Sequence, residues 1–471
     1  MKLTRRGFLS ASAAFAAAPI LSANAATRPR DVDIVVIGGG AAGIAAARRI
    51  MAANRKVVVL EAASQIGGRC ITDNTSFDVP FDRGARWIRN PDSNPIIPMA
   101  GSVGFDLSPL PFGQKLRIGR RGARAGETEQ FLAALVRANR AIDEAAHGRL
   151  DSSCLAALPK DLGDWTGTVA FLLGAGFAGK DLKDLSAIDK SRANDRKTAL
   201  ACRQGLGALI ARLSDPIPVA LSTPAKRISW SNRDVSVETP EGKINARAAI
   251  ITVSTNVLTA GLIKFAPDIP KRILDAAAKL SLGSYDHIVL QLSGNPLGLS
   301  RDDSIIEQSN STRTALLLAN IGGSSLCSID VGGSFGRDLS ADGEQAMAAF
   351  AKEWIGKLFG SETAAAVKKT VATRWDASPF VRGAMSAASP GGQLSRKTLA
   401  DSIGCMYLAG EATHETLWGT VDGAWESGER AAEAALRRIG ALAEEPANVP
   451  VRSSRHRRVA RPASPFRSTD D

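Results

Sequence analysis

Six residues near the start of the chain, Gly38-Gly39-Gly40-Ala41-Ala42-Gly43, constrain its fold more than any other feature. They follow Val32-Asp33-Ile34-Val35-Val36-Ile37, a β-branched run of the kind that forms a buried parallel strand. Ile44 to Met51 is alanine-rich and helix-compatible, and Lys56 to Leu60 is a second apolar run ending in Glu61. That order predicts a βαβ unit. In it Gly38 allows the tight turn, Gly40 lets backbone approach a pyrophosphate, and Gly43 lets helix and strand pack closely. The helix N-terminus offers unpaired N–H groups and positive potential to phosphates. Glu61, eighteen residues beyond Gly43, is placed to accept hydrogen bonds from ribose hydroxyls. The alternative is a glycine-rich turn in an unrelated α/β protein, and this segment alone does not separate NAD from FAD.

At 471 residues the chain has ample apolar area for one large or two interleaved domains. Its formal net charge is +12, but much of it lies at the ends: Lys2, Arg5 and Arg6 carry +3, and six arginines beyond Pro446, set against Asp470 and Asp471, carry +4. The remaining +5 is ordinary for so long a body, and no basic stripe with interleaved aromatics occurs, which excludes nucleic acid as a partner. Cys70, Cys154, Cys202, Cys327 and Cys405 lie far apart, without the spacing of a zinc or redox motif, so they are expected as buried free thiols and no metal site is predicted. Thr4-Arg5-Arg6-Gly7-Phe8-Leu9, an alanine-rich run through Leu21 and then Ala23-Asn24-Ala25 resemble a twin-arginine signal over residues 1–25, too short and weakly apolar for a membrane span. That implies a soluble periplasmic protein, folded around its cofactor before the twin-arginine export machinery moves it. Residues 446–471, with Pro446, Pro450 and the arginines, are expected to be a disordered basic tail.

The segment Glu61-Ala62-Ala63-Ser64-Gln65-Ile66-Gly67-Gly68-Arg69 resembles the one that follows the dinucleotide fold in flavin-dependent amine oxidases. Asp82-Arg83-Gly84-Ala85-Arg86-Trp87 is similar to that family's loop along the flavin, and Trp375, Pro379-Phe380 and Gly383 to the segment that brings a tryptophan against the isoalloxazine. Leu408-Ala409-Gly410-Glu411-Ala412-Thr413, Gly419-Thr420-Val421-Asp422-Gly423-Ala424 and Ser427-Gly428 resemble its closing flavin motif. The middle, from Gln204-Gly205-Leu206-Gly207 to Ile250-Ile251-Thr252-Val253, resembles its second nucleotide-domain segment, with Ala225 near the adenine. The resemblance implies an α/β fold: a discontinuous Rossmann-like FAD-binding domain (residues 30–105, 200–262 and 400–442) interleaved with an α+β substrate-binding domain (106–199 and 263–399). It assigns cofactor contacts to Gly38, Gly40, Ala42, Gly43, Glu61, Ala62, Gly68, Arg69, Gly84, Ala85, Arg86, Trp87, Ala225, Gly410, Glu411, Thr420 and Val421. Glu411 at a strand end reads as a ribityl partner or as a solvated acid. The residues from Asp422 to Ile439 are helix-compatible, with small Gly423, Ala424 and Gly428 permitting close approach.

Departures from the family pattern bear on chemistry. The lysine that holds a water near flavin N5 in many members is His287 here, in Leu282-Gly283-Ser284-Tyr285-Asp286-His287; it reads either as the polar group on that side of the flavin or as a histidine merely packed in a strand. Met385 and Thr420 stand where monoamine oxidases carry a tyrosine pair, and Trp418 reads as a pocket wall or as core. Ala384 stands where some members bond covalently to the flavin, so FAD is expected to be non-covalent. Ala63 and Gln65 replace frequent arginines. Phe131, Leu132, Leu135, Val136 and Ile142 are read as the apolar face of a cap helix between Thr128 and Asp181, and Ala341 to Leu358 as another amphipathic helix. The activity implied is an FAD-dependent amine oxidase with His287 and Trp375 as catalytic residues and Met385, Thr420 and Trp418 in the pocket: hydride passes from an amine α-carbon to flavin N5, and O2 takes up the electrons to give H2O2. The alternatives are a dehydrogenase or desaturase-like enzyme with another acceptor, or a periplasmic flavoprotein that has lost catalysis and acts as a binding subunit.

Overall fold

The computed structural model describes residues 31–111, 113–194 and 198–443. The export signal expected at 1–25 and the basic tail expected at 446–471 lie outside the described residues.

The first sheet is built on the predicted βαβ unit. Asp31–Ile37 pairs in parallel with Val57–Leu60 on one side and with Gly242–Ile251 on the other, and Val219–Ala220 and Met406–Leu408 extend the parallel array. The four residues of Val57–Leu60 and the last four of Asp31–Ile37 are all buried, because helices cover both faces of such a sheet. Register aligns the carboxyl ends: Ile37 pairs with Leu60 and Ile251, Leu60 with Ala220, and Ile251 with Leu408. Gly38, Glu61, Thr252 and Ala409-Gly410 therefore leave the sheet along one edge, the place where open α/β sheets bind ligands. Val235–Thr239 and Arg227–Trp230 continue the sheet antiparallel, and Lys264–Ala266 closes it, so it runs a few residues past 262.

The helix Ala41–Ala52 leaves the glycine loop and packs on this sheet beside the closing helix Val421–Arg438, in one core with Trp425, Ala431, Ala432 and Leu436. Small residues set their separation: a Cβ on Gly428 would lie 2.1 Å from the carbonyl oxygen of Ala42.

The second sheet is mainly antiparallel, in the order Val367–Ala372, Tyr285–Leu292, Leu326–Gly332, Leu316–Leu318, Ser304–Glu307, Lys115–Ile118 and Arg121–Gly122. A three-stranded sheet joins Trp87–Arg89 and Leu107–Pro109 through Ala199–Cys202. Two helical expectations are corrected. The cap helix Ala125–Ala146 buries Phe131, Ala134, Ala138 and Ile142, leaving Leu132 and Val136 half or more exposed; alanines, not the larger side chains, carry the helical repeat that faces the core. The helix expected over 341–358 is Glu344–Phe359, starting three residues late because Gly343 at φ +99°, in the left-handed region, separates it from the preceding helix Gly333–Ala341. All five cysteines are buried free thiols. Among the described residues no helix is long and apolar enough to cross a membrane, and no cluster of His, Cys, Asp and Glu could hold a metal.

The backbone contact at Gly428 yields a prediction. Gly428→Ala forces a methyl against a main-chain carbonyl that cannot swing aside, and should cost about 3 kcal/mol of unfolding free energy, read as a lowered denaturant midpoint at unchanged m-value.

Candidate functional site

The loop after the first strand is sterically determined. Gly38 has φ +107°, and a Cβ there would lie 2.4 Å from Thr252 Oγ1; a Cβ on Gly43 would lie 1.9 Å from Gly38 O. Thr252 Oγ1 donates to Ile37 O and Gly38 O, locking the turn to the neighbouring strand end. The helix that follows has no side-chain cap and no acid in its first turn, so its leading N–H groups are left for an anion. Gly40 bridges to Gly67, whose N–H donates to Gly39 O at 2.9 Å, and a Cβ on Gly68 would stand 3.3 Å from Gly40 Cα. The two glycine stretches therefore form one backbone surface.

Glu61 sits at the tip of its strand, accepting from Gly39 N–H at 2.6 Å and Ala63 N–H at 2.7 Å. Burial pushes its carboxyl upward against the lowering pull of those donors. Thr223 N–H donates to Glu61 O and Ser222 N–H to Ala63 O, which lays the segment leading to buried Ala225 beside Glu61-Ala62-Ala63. Uncapped amides, side-chain-free backbone and an acid at the strand tip fit a dinucleotide.

Arg69 joins this surface to the rest of the site. Its carbonyl accepts from Ala85 N–H at 3.0 Å and its guanidinium donates to Ala384 O at 2.6 Å and Glu411 Oε1 at 2.8 Å. Gly84 lies in the angle: a Cβ there would meet Arg69 O at 2.1 Å and Trp375 Cζ2 at 2.9 Å. Trp375 is buried, with its indole N–H on Arg83 O at 3.0 Å. Glu411 is not a solvated acid. Its buried carboxylate also accepts from Ser386 N–H and Oγ and from Gly419 N–H, and Arg69 is foremost among the partners that hold it below the usual range despite burial. Four protein donors occupy it, so its side chain ties loops together. Gly410 at φ +128° and Gly419 at φ +69° flank it.

His287 projects from Tyr285–Leu292 into a polar cluster. Nε2 lies 3.0 Å from Gly84 O, and Nδ1 lies 2.8 Å from Asp330 Oδ1 and 2.7 Å from the Arg86 guanidinium. Arg86 also binds Asp330 Oδ2 in a short ion pair and lies 5.4 Å from the Trp87 ring centre. The structure thus gives Arg86 protein partners at the place where the resemblance assigned a cofactor contact.

The pocket residues divide. Met385 is half-buried, its carbonyl accepting from Gly283 N–H. Thr420 caps the closing helix, its Oγ1 accepting from Gly423 N–H at 3.1 Å, so Val421 and Asp422 open that helix. Trp418 is fully buried, with its N–H on Asp189 O, Phe177 edge-on at 5.6 Å and Arg396 over its ring; of its two readings the structure supports core packing.

Sequence reasoning missed Thr252, Ser386, Asp189, Arg396, Tyr285 and Asp330. The signal that could have found Asp330 is an acid inside the otherwise buried run Leu326–Gly332.

Asp286, adjacent to His287 but on the opposite face of the strand, generates a prediction. Oδ1 accepts from Trp375 N–H and Thr373 Oγ1, while Oδ2 is buried without a protein partner. Burial raises its carboxyl from 3.8 to about 6. A carboxyl raised on folding stabilises fully at low pH and loses that contribution as pH climbs through the folded value, so the protein should lose about 3 kcal/mol here between pH 4 and 7. Asp286→Asn should flatten that part of the stability–pH curve measured by denaturant unfolding.

Residues 41–436 match the family of flavin containing amine oxidoreductases. The chain is 24% identical over 448 residues to lysine-specific histone demethylase 2 of Homo sapiens, covering 85% of this chain and 53% of that one. It therefore spans about half the length of the two histone demethylases it matches. It is 26% identical over 490 residues to polyamine oxidase 2 of Arabidopsis thaliana, covering 92% and 96% of the two chains. Among solved structures, cyclohexylamine oxidase from Brevibacterium oxydans superimposes with TM-score 0.73 at 21% identity, over 87% of this chain and all of that one. A putrescine oxidase gives 0.73 at 17%, over 86% and 99%. Such identities establish a shared fold, the interleaved α/β architecture with a flavin-binding and a substrate-binding part. With the match extending over 41–436, the chain belongs to the flavin-containing amine oxidoreductase family, and its cofactor is FAD.

Proposed function

We propose that this protein is an FAD-dependent amine oxidase acting on the CH–NH bond of a small amine. The observation that carries the reading is the convergence at Arg69 of stretches far apart in sequence: the paired glycine loops, Gly84 with Trp375, the Ala384–Ser386 turn, and Gly410-Glu411. They meet at the carboxyl edge of the first sheet, around backbone that no side chain covers.

When bound, FAD supplies the acceptor that takes a hydride from the amine α-carbon, leaving an imine, and that passes two electrons on to O2 to give H2O2. The chain's own residues do the rest. The uncapped helix at Ala41 and the apposed glycines hold the pyrophosphate, and Glu61 holds a ribose. Trp375, fixed at both its backbone and indole N–H, supplies an aromatic wall. Met385, Thr420 and His287 stand at the substrate-facing positions by the family match. Ala384 offers no sulfur for a covalent link, which supports FAD held non-covalently.

A second reading is favoured by one observation: both ring nitrogens of His287 are engaged by protein atoms. A histidine so engaged, in place of the family's lysine, supports a dehydrogenase that reacts slowly with oxygen and hands electrons to another acceptor.

Export by the twin-arginine route, as a folded FAD-loaded protein of the periplasm, is part of the proposal. Its supports are Thr4-Arg5-Arg6-Gly7-Phe8-Leu9 and five cysteines that remain free thiols although buried.

Three measurements test this. Purified protein should be yellow and lose its flavin colour anaerobically with at least one of a panel of amines, polyamines and amino acids; no bleaching by any of them favours a binding subunit. Stopped-flow mixing of the reduced protein with air should restore the spectrum within seconds, while recovery over minutes favours the dehydrogenase. Cell fractionation should place the full-length protein in the periplasm, and an Arg5→Lys, Arg6→Lys double variant should stay in the cytoplasm.

A further inference from the structure

We propose that Asp330 is a positioning residue which, in opposition to Arg86, sets the charge state of His287. The proposal rests on the flavin reading, which places His287 at the substrate-facing side of the site.

The ring is held in place by its backbone. His287 N–H donates to Thr373 Oγ1 at 2.9 Å, Thr373 N–H donates back to His287 O at 2.9 Å, and the side chain is only 5% exposed. Nε2 faces Gly84 O, and a carbonyl only accepts, so Nε2 carries a hydrogen in either charge state. All variation is confined to Nδ1. That atom has two neighbours with opposite requirements: Asp330 Oδ1 at 2.8 Å wants a donor, while the Arg86 guanidinium at 2.7 Å wants an acceptor.

Asp330 is anchored without the histidine. Ser328 Oγ donates to Oδ1 at 2.5 Å, Tyr285 OH to Oδ2 at 3.0 Å, and Arg86 to Oδ2 as well. Burial would raise its carboxyl, but Arg86, His287 and Ser328 outweigh that and hold it well below the ordinary range, so it stands beside the ring as an anion. Tyr285, pushed far upward chiefly by burial and then by Asp330, stays a neutral donor. From the strand Trp87–Arg89, Arg89 acts on Tyr285 and Asp422, and Asp82 acts on Arg86; Thr373, just past the strand Val367–Ala372, is neutral and meets only the backbone of His287. Asp286, on the opposite face of the same strand, acts on the ring from behind, and Asp376 acts on Asp286.

Two states follow. In the neutral ring the Nδ1 lone pair accepts from Arg86. In the protonated ring Nδ1–H donates to Asp330 Oδ1 while Arg86 keeps Oδ2. One proton converts one state to the other with the heavy atoms in place, and neither state leaves Nε2 free to accept a proton. His287 therefore acts by charge and not as a base through Nε2.

The test reads the ring directly, by NMR of ring-labelled histidine in the FAD-loaded full chain, with His287→Gln to assign its signal. Asp330→Asn removes the anion that stabilises the charged ring, and the His287 midpoint should fall by about one pH unit or more, a roughly tenfold loss of proton affinity. Arg86→Gln removes the opposing cation, and the midpoint should rise by a similar amount. The pH profile of anaerobic flavin reduction should move in the same directions. A role that is merely structural would not displace one midpoint both ways. Shifts of the same sign in both variants, or no shift in either, overturn the proposal. Should Asp330→Asn fail to fold, Ser328→Ala takes its place: freeing Oδ1 from its second donor should raise the midpoint, and no rise in both that variant and Arg86→Gln also overturns it. A colourless protein would sink the flavin reading while leaving the ring titration readable, and a yellow protein with an unmoved ring sinks this inference alone.

Discussion

A line of buried charge holds the architecture together. Asp189 binds Arg396 through two bonds of 2.7 Å, Arg396 reaches Ser386 Oγ and Ala412 O, Ser386 bonds Glu411, and Glu411 bonds Arg69. Two anions alternate with two cations, and Arg396 and Asp189 are 1% and 2% exposed. Burying such groups carries a large desolvation penalty, which is offset only when every partner is present in good geometry. The line runs from the short helix Ala187–Arg192, through the turn at 384–388 and the strand end at 410–411, to the arginine beside the paired glycines. Helical cap and nucleotide sheet thus cannot shift relative to each other without uncovering a charge. That rigidity is what lets backbone alone, at Gly40, Gly68 and Gly84, shape a cofactor surface.

The nucleotide half was legible because its requirements are local. Gly38 and Gly43 are demanded by atoms within the same turn or the adjoining strand, and the apolar runs before and after them have lengths that only buried strands need. The closing helix was legible for the same reason, through small residues spaced along one face. The substrate half was harder to read. Alanine packs as well as leucine on a helix such as Ala125–Ala146, so side-chain size misidentified which face is inward. Glu411 and Trp418 could be located but not interpreted, since their partners Arg69, Ser386 and Asp189 come from segments that no periodicity connects. Asp330, a single acid in the buried run Leu326–Gly332, discloses that it must be paired but not with what, and Arg396, beside Lys397 in a short polar helix, carries no such signal.

By the sequence resemblance, His287 stands where many members of the family carry a lysine. A lysine at that position would bring a flexible, strongly hydrated charge. The imidazole is shorter and planar, and the surroundings supply what it lacks: a carbonyl for one nitrogen, and both an anion and a cation for the other. The ring is accordingly part of a set that includes Arg86, Asp330, Tyr285 and Ser328, four residues drawn from two strands and the loop before a third.

The contact of Gly428 with the carbonyl of Ala42 brings together residues nearly four hundred positions apart, in a helix pair that shares one core. The outer face of the first helix stays wet until almost the whole polypeptide has emerged from the ribosome, so the dinucleotide cradle is among the last parts of the molecule to mature although its glycines are among the first residues made. A chain of this design gains its cofactor surface after synthesis rather than during it, and a truncation that removes only the final helix would strip the first one of its cover.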